Sequence, residues 1–234
     1  MKKIRLYLLH YVCLLVLVMA PSISSDQLYV FTANDVNVLE LQENLRTAIP
    51  GVDIEVFGRY RDFVRRVETV PPTAVLTKPE LVSALSGYTP QLEGTVSGSN
   101  TIPYVLLSVE EPIDLSALSG LTIAGVDFMG RAGMTSFITK LIGGQTQIRL
   151  VAKIQDLLPL LTFDMAQGVL LPHNSVNFFR SRSNIELVVT ELSNGNAGIM
   201  VLGVKDGSDP TKLKNDIKSL STDINNALEV EAWR

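Results

Sequence analysis

The feature that most constrains the fold of this chain is an alternation of short apolar runs with segments of helical periodicity. Residues 28–31, 52–57 and 74–76 have the apolar composition of buried strands. Between them, residues 38–49 and 60–67 carry apolar side chains three or four positions apart, as one face of a helix does. Because helical crossovers join parallel strands, this βαβαβ order predicts a parallel sheet with helices on both faces.

A second α/β unit follows a stretch rich in glycine, serine and threonine at residues 94–101. Its predicted strands are 104–109, 121–126, 148–151, 168–171, 185–192 and 199–204. Its predicted helices are 134–142, 156–163, 176–180 and a long last helix over 210–224. The chain has 234 residues, of which 46% are apolar and 19% charged, so a sizeable core is available. These observations predict an α/β protein with two lobes.

The N-terminal segment has the parts of an export signal. Three basic residues within the first five precede a largely apolar run at 6–20. A run of about 15 residues suits a signal peptide, whereas a bilayer span needs about 20. Ser24 offers a small residue at the cleavage position, so we expect 1–24 to be a cleaved signal peptide and the protein to be periplasmic. The alternative is an uncleaved anchor helix.

Cysteine content and charge exclude several function classes. The single cysteine, Cys13, lies in the predicted signal, and its loss would leave no thiol for catalysis, metal ligation or Fe–S clusters. The first 24 residues hold 3 of the 20 bases and none of the 24 acids, so 17 bases face 24 acids in the remainder, a net charge of −7. An acidic chain argues against nucleic acid as the main partner, because phosphate binding needs a basic surface.

Several segments, in the same order along the chain, resemble periplasmic substrate-binding proteins. Residues 112–127 resemble the start of the second lobe in that family, and 128–135 resemble the helix start where such proteins bind ligand. Residues 155–172 are similar to the family's helix followed by "A-D-A-V-L-V-P", and 203–210 are similar to the return to the first lobe. The chain most closely resembles the type II branch, of the phosphate/phosphonate-type ABC transporter solute-binding proteins.

The resemblance implies two α/β lobes joined by two hinge crossovers. Lobe 1 is expected to comprise residues 25–107 and 194–234, and lobe 2 residues 108–193. The final helix is expected to pack back on lobe 1.

Candidate ligand-binding residues follow predicted strands. Gly130 and Arg131 open the helix after strand 121–126, where free backbone N–H groups and a guanidinium would hold an anion. A helix cap with an exposed arginine is the alternative reading. Thr32 and Asn34 occupy the corresponding turn of the first lobe, where simple helix capping is the alternative.

Further candidates lie at other strand ends or in the same helices. They are Arg59, Thr77, Ser108, Thr135, His173 and Asn174. Arg59 begins a basic cluster with Arg61, Arg65 and Arg66, which otherwise forms a solvated helix face. His173, the single histidine after residue 24, otherwise lies in a surface loop.

Three function classes follow. The first is an exported solute-binding protein that captures a small polar or anionic ligand between its lobes and presents it to a membrane partner such as an ABC permease. The second is an accessory or sensory protein of the same fold that acts on a membrane receptor, which the replacement of a family acid by Gln167 favours. The third, an exported hydrolase, lacks a G-x-S-x-G motif and has one histidine. We expect a monomer with no enzyme activity, no cofactor and no metal.

Overall fold

The computed structural model describes residues 26–234, and the predicted signal peptide falls outside the described residues. The strands are β1 (Asp26–Phe31), β2 (Val52–Phe57), β3 (Ala74–Thr77), β4 (Tyr88–Thr95), β5 (Thr101–Val109), β6 (Thr122–Val126), β7 (Gln147–Val151), β8 (Gly168–Pro172), β9 (Leu187–Gly198), β10 (Val201–Lys205) and β11 (Ala232–Trp233). The helices are α1 (Val38–Ala48), α2 (Tyr60–Thr69), α3 (Pro79–Ala84), α4 (Gly130–Ile142), α5 (Leu157–Thr162), α6 (Val176–Ser181), α7 (Thr211–Lys218) and α8 (Thr222–Ala227). Within residues 26–234, no helix combines the length and the hydropathy that a membrane span needs.

The first sheet contains the strands predicted at the start of the chain. Across the described residues its strand order is β11-β4-β10-β3-β1-β2. β1 runs parallel to β2 and β3, as the βαβαβ pattern predicts, while β10 runs antiparallel to β3 and β4. Leu28, Tyr29 and Val30 are fully buried although they point to alternate faces, because helices cover both sides of the sheet. This sheet and its helices α1–α3, α7 and α8 form the first lobe.

The second sheet has the order β7-β6-β8-β5-β9 in the described part of the chain. β6 is parallel to β7 and β8, whereas β5 is antiparallel to β8 and β9. Alternate residues of β5 serve different cores: Tyr104 and Leu106 belong to the cluster that includes α4, and Val105 and Leu107 to the cluster that includes α5 and α6. This sheet and the helices α4–α6 form the second lobe.

The two α/β lobes and the two crossovers between them confirm the predicted bilobed fold. Residues 96–100 lead from β4 to β5, and residues 199–200 lead from β9 to β10. The crossovers lie side by side, since the Ile199 N–H donates to the Asn100 carbonyl at 3.1 Å. The predicted boundaries at 107/108 and 193/194 fall inside β5 and β9, which belong wholly to the second sheet. We therefore place the boundaries at the crossovers, because an alternating pattern does not reveal which sheet a strand joins.

Two elements differ from the sequence prediction. Strand β4 has no predicted counterpart, because Pro90 and Gly94 interrupt its apolar pattern. The long last helix is in fact α7 and α8, separated at residues 219–221. Ser221 causes the second start, because its hydroxyl accepts a hydrogen bond from the Ile224 N–H at 3.4 Å. Both helices still bury their apolar faces on the first lobe, as predicted.

One hydrophobic core continues from the first lobe into the second. The same cluster of buried side chains contains Leu28 and Leu76 from the first sheet and Tyr104, Phe128 and Phe137 from the second lobe. The lobes therefore meet along an apolar surface.

Candidate functional site

The carboxyl ends of parallel strands from both sheets face each other between the lobes. The ends of β1 and β3 in the first lobe oppose those of β6 and β8 in the second, and together they line a small inner cavity. Ligands of open α/β sheets bind at such strand ends. The inner cavity has a volume of about 60 Å³. Since one water needs roughly 10–15 Å³, this volume corresponds to a few water molecules.

Three predicted binding residues line the inner cavity. Thr77 is fully buried, and its hydroxyl has no hydrogen-bond partner among the described residues. Thr32 donates its hydroxyl to Asn34 Oδ1, and Asn34 Nδ2 donates to the Ala227 carbonyl at 3.0 Å. Asn37, not Asn34, caps α1 through its side-chain oxygen. Thr32 and Asn34 are thus hydrogen-bonded to described residues, whereas the Thr77 hydroxyl is not.

Lys78 brings a positive charge to the inner cavity. It directly follows β3, and its Nζ lies 5.8 Å from the ring centroid of Tyr104 and 5.8 Å from that of Phe128. Both rings belong to the second lobe and are only 5% and 4% exposed. Nζ also donates to the Gly198 carbonyl at 3.2 Å. A cation of the first lobe therefore contacts two aromatic faces of the second.

The charges around Lys78 keep it protonated. Burial lowers the pKa of Lys78, but Tyr104, Glu229 and Glu80 outweigh burial and leave that pKa above the usual value for lysine. Burial raises the pKa of Tyr104 despite the opposing ammonium. At neutral pH the pair is an ammonium against a neutral phenol.

A second space, the outer groove, lies between the lobes and has a volume of about 470 Å³. It is lined by residues 59–62 of the first lobe and by Asp127, Gly130, Arg131 and residues 150–152 of the second. Residues 59–62 follow β2 and residues 150–152 end β7, and both strands are sheet edges far from the crossovers. The outer groove is therefore the mouth of the cleft. It brings together Arg59 and Arg131, which are 72 residues apart in the sequence.

The arginines of the outer groove form no ion pair among the described residues, although two acids also line the groove. Arg59, Arg61 and Arg131 are exposed, and their side chains make no hydrogen bond or ion pair within residues 26–234. The two acids of the groove are engaged elsewhere. Asp62 pairs with Arg65 at 3.3 Å, and Asp127 accepts the Gly130 N–H at 2.6 Å. Three guanidinium groups from two lobes thus face one groove, an arrangement that suits an anion.

The start of α4 differs from the free anion site that the sequence predicts. The Asp127 carboxylate already accepts the Gly130 N–H, so this donor is not available. Gly130 has φ +70°, and a Cβ at this position would lie 2.9 Å from Cε1 of Tyr60 in the other lobe. The turn requires glycine both for its backbone conformation and for the close approach of Tyr60. The anion chemistry of this turn therefore rests on Arg131.

Besides the three arginines, Tyr60 lines the outer groove with a side chain that can donate a hydrogen bond. Burial raises its pKa, and the carboxylates of Asp127 and Glu68 raise that pKa further. Its phenol is therefore protonated at neutral pH and can donate to a ligand oxygen.

Ser108 and Thr135 lie at neither the cavity nor the groove. β5 runs antiparallel to β8, so Ser108, near the end of β5, lies at the opposite end of the sheet from the cleft. Its hydroxyl donates to the Glu111 carbonyl at 2.5 Å. Thr135 is exposed on α4 and donates to the Arg131 carbonyl at 2.8 Å. The prediction for Ser108 assumed that every strand of the sheet is parallel, which is wrong for β5.

His173 and Asn174 are exposed and lie beside the inner cavity without lining it. His173 Nε2 is 3.6 Å from Glu191 Oε1, and the side chains are 52% and 70% exposed. Their neighbours Pro172 and Ser175 do line the cavity. The surface-loop reading of this turn therefore fits better. In the part of the chain that the structure describes, no group of three His, Cys, Asp or Glu residues could hold a metal ion.

The rest of the basic cluster on α2 is paired within its own lobe. Arg65 is 80% exposed and contacts Asp62, whereas Arg66 makes a two-pronged contact with Glu55 at 3.0 and 2.6 Å. Both side chains lie outside the outer groove. The solvated-face reading therefore holds for Arg65 and Arg66 but not for Arg59 and Arg61.

Sequence reasoning missed three residues that define these two spaces. They are Tyr60, Phe128 and Asp127. Asp127 and Phe128 each come directly after a buried strand, which is the signal that could have found them. The contact between Lys78 and Phe128 could not be found in this way, because it depends on how the lobes meet.

The comparisons with known proteins support the fold. No protein-family model matches the chain, and no curated protein matches it. XAC2383 from Xanthomonas citri, in a structure bound to ATP, is similar over 90% of this chain and 91% of its own, with a TM-score of 0.67 at 14% identity.

Two further structures have the same architecture. The VFT2 domain of Bordetella pertussis BvgS matches with a TM-score of 0.57 at 13% identity, over 87% of this chain and 91% of that domain. An arginine-bound variant of ArgBP from T. maritima matches with a TM-score of 0.55 at 15% identity, over 88% and 95% of the two chains. At these identities the likeness shows a fold of the periplasmic-binding-protein type.

Proposed function

We propose that the protein captures a small anionic ligand at the mouth of the cleft between its lobes and presents it to a membrane partner. The observation that carries this proposal is the convergence of Arg59 and Arg131 from opposite lobes on one groove, where neither forms an ion pair with a described residue. Ligands that bridge two lobes favour the closed state, because they contact both lobes only when the cleft is closed. Phosphate and phosphonate groups fit paired guanidinium groups and are the first class to test. Such a role needs no enzyme activity.

The shape of the groove agrees with this ligand class. A volume of about 470 Å³ falls in the range of small-molecule sites, roughly 300–1,000 Å³. Tyr60 adds a neutral hydroxyl donor between the two guanidinium groups. The neighbouring structures include a protein bound to ATP and an arginine-bound protein, so proteins of this fold hold small charged ligands in general.

Calorimetric titration with inorganic phosphate, methylphosphonate and sulfate tests the proposal. Charge-assisted hydrogen bonds contribute about 1.5–3 kcal/mol each. Because the side chain is exposed, we expect Arg131→Ala to weaken binding by about tenfold, at the low end of that range, and Arg59→Ala similarly.

Arg65→Ala is the matched control, since Arg65 is exposed and contacts only Asp62. It removes the same charge from the same helix as Arg59 and should change the affinity little. Equal losses in all three variants would indicate a diffuse basic surface. Absence of anion binding by the unmodified protein would refute the proposal.

Export to the periplasm is part of the proposal. It is supported by the signal-like N-terminal sequence and by the likeness to a BvgS domain described as periplasmic. Intact-mass analysis of the periplasmic fraction should show a chain beginning at Ser25 or within a few residues of it. A full-length mass would favour an anchored protein instead.

The sensory alternative has an observation of its own. The inner cavity holds only about 60 Å³, and beside it Lys78 of the first lobe contacts two rings of the second. Such a contact between the lobes suits signalling to a receptor through the protein surface better than repeated delivery of solute to an ABC permease. Cross-linking in native membranes, followed by identification of the partner as a permease or as a receptor, distinguishes the two roles.

A further inference from the structure

We propose that Tyr104 and Phe128 form an ammonium-binding recess on the second lobe, and that Lys78 of the first lobe fills this recess in place of a ligand. The chain's own cation then holds the cleft closed. This inference does not depend on anion binding in the outer groove, because none of its residues lines that groove.

The aromatic recess is a built arrangement rather than a chance contact. Phe137 packs edge-on against both rings, with centroids 5.6 Å from Tyr104 at 83° and 5.0 Å from Phe128 at 79°. Edge-to-face packing of this kind fixes ring orientation. Because all three rings are buried, the Lys78 ammonium meets them in a medium of low dielectric constant, where a cation–π contact is strongest.

The backbone beside the recess fixes where Lys78 can reach. Lys78 Nζ donates to the Gly198 carbonyl at 3.2 Å, while Glu80 Oε1 accepts the Gly198 N–H at 2.9 Å. Gly198 ends β9 next to the second crossover, so Lys78 and Glu80 bind the carbonyl and the N–H of this hinge residue. The ammonium therefore enters the recess from a fixed point at the hinge.

Opening of the lobes would empty the recess. Phe128 follows β6, which is separated from β5 by β8 and so lies farther from the crossovers than Tyr104. A hinge motion moves Phe128 away from Lys78 more than it moves Tyr104. The vacated recess, with the two ring faces of Tyr104 and Phe128, matches a primary ammonium group. Such a ligand competes with Lys78, which reduces its affinity for the unmodified protein.

The first test measures closure directly. Spin labels at Thr69→Cys on α2 and Ser136→Cys on α4, in a Cys13→Ser background, report the distance between exposed sites on the two lobes. Lys78→Ala should shift the ratio of open to closed molecules toward open by about tenfold. Lys218→Ala removes a charge from an exposed position of the first lobe and should leave the distance distribution unchanged. An unchanged distribution in Lys78→Ala would overturn the proposal.

The second test restores the missing cation. In Lys78→Ala, n-propylammonium replaces the deleted atoms and should return the distances to the closed value in a saturable manner. The neutral n-propanol should not, and neither should n-propylammonium when Phe128→Leu is added. Rescue by the alcohol as well would show a merely apolar cavity and refute the assignment. If Lys78→Ala fails to fold, Lys78→Met keeps the apolar stem and gives the same comparison of distances.

Discussion

The inner cavity and the outer groove lie between the same two lobes but differ in how their charges are balanced. In the inner cavity the cation is already paired, since Lys78 contacts two rings and donates to Gly198. In the outer groove Arg59 and Arg131 form no ion pair with a described residue, although Asp62 and Asp127 line the groove as well. The inner cavity holds about 60 Å³ and the outer groove about 470 Å³.

This difference separates two tasks that one cleft can perform. Buried and internally satisfied contacts near the hinge set the free energy of closure without a ligand. Unsatisfied charges at the mouth, where the lobes move most, let an external ligand add to that free energy. Substitutions in the inner cavity should therefore change stability and closure, whereas substitutions in the outer groove should change anion affinity.

The largest expected effect on stability is that of a substitution beside the inner cavity. Phe137→Ala removes the ring that supports both Tyr104 and Phe128 and leaves a cavity in the core. Such substitutions lower the free energy of unfolding by about 3–5 kcal/mol. Urea denaturation followed by circular dichroism measures the change.

Phe163→Ala serves as the control for this prediction, because Phe163 is 72% exposed and its loss should change stability by less than about 0.5 kcal/mol. A loss at Phe137 no larger than that at Phe163 would contradict the view that the aromatic recess is rigidly supported.

The fold could be predicted from the sequence further than the site could. Strand composition and helical spacing are local, so the βαβαβ pattern and the two lobes follow from them. That β5 belongs to the second sheet and runs antiparallel to β8 depends on contacts between segments far apart in the sequence. The wrong expectation for Ser108 follows from this. Arg59 and Arg131 were predicted separately from their positions after strands. That both arginines line one groove, and that Lys78 contacts Phe128, depends on how one lobe packs on the other. No local sequence pattern encodes this packing.

A steric change at the hinge should give the next largest effect. A Cβ at Gly198 would lie 1.9 Å from Cγ and 2.6 Å from Cδ of Pro79, so Gly198→Ala must push residues 78–80 away. Overpacking of this kind costs about 1–3 kcal/mol. In the double variant Gly198→Ala, Pro79→Ala the two clashing atoms are absent, and most of the loss should be recovered. Additive losses in this double-mutant cycle would mean that the contact does not limit the hinge.

The free energy of unfolding at alkaline pH should show the contribution of the Lys78 ammonium. Its pKa is raised in the folded protein, so its contribution is complete below the unfolded value of about 10.4 and is lost as the pH rises through the folded pKa. At neutral pH, Lys78→Met should cost about 1 kcal/mol. That difference should stay constant up to about pH 10 and shrink above it.

Tyr104, Glu80 and Glu229 face the ammonium, and burial raises the pKa of Tyr104, which delays its ionisation. The stability difference between Lys218→Met and the unmodified protein should show no such trend, since Lys218 is exposed. A Lys78→Met difference that persists undiminished above pH 11 would show that the stem, and not the charge, stabilises the closed cleft.

The smallest expected effect is that of a substitution in the outer groove. Asp127 is the acid that stands among the groove arginines, and its Oδ1 accepts the Gly130 N–H at 2.6 Å. Asp127→Asn keeps an oxygen for that hydrogen bond and removes the negative charge that repels an anion. A charge contact of this kind near a protein surface changes binding by about 1 kcal/mol, so phosphate should bind roughly fivefold more tightly.

Because Asp127 also raises the pKa of Tyr60, that pKa should fall in the variant, which spectrophotometric titration detects. Asp223→Asn, which removes an exposed acid from the first turn of α8, should leave both quantities unchanged. An unchanged phosphate affinity in Asp127→Asn would contradict this prediction and place the anion away from the start of α4.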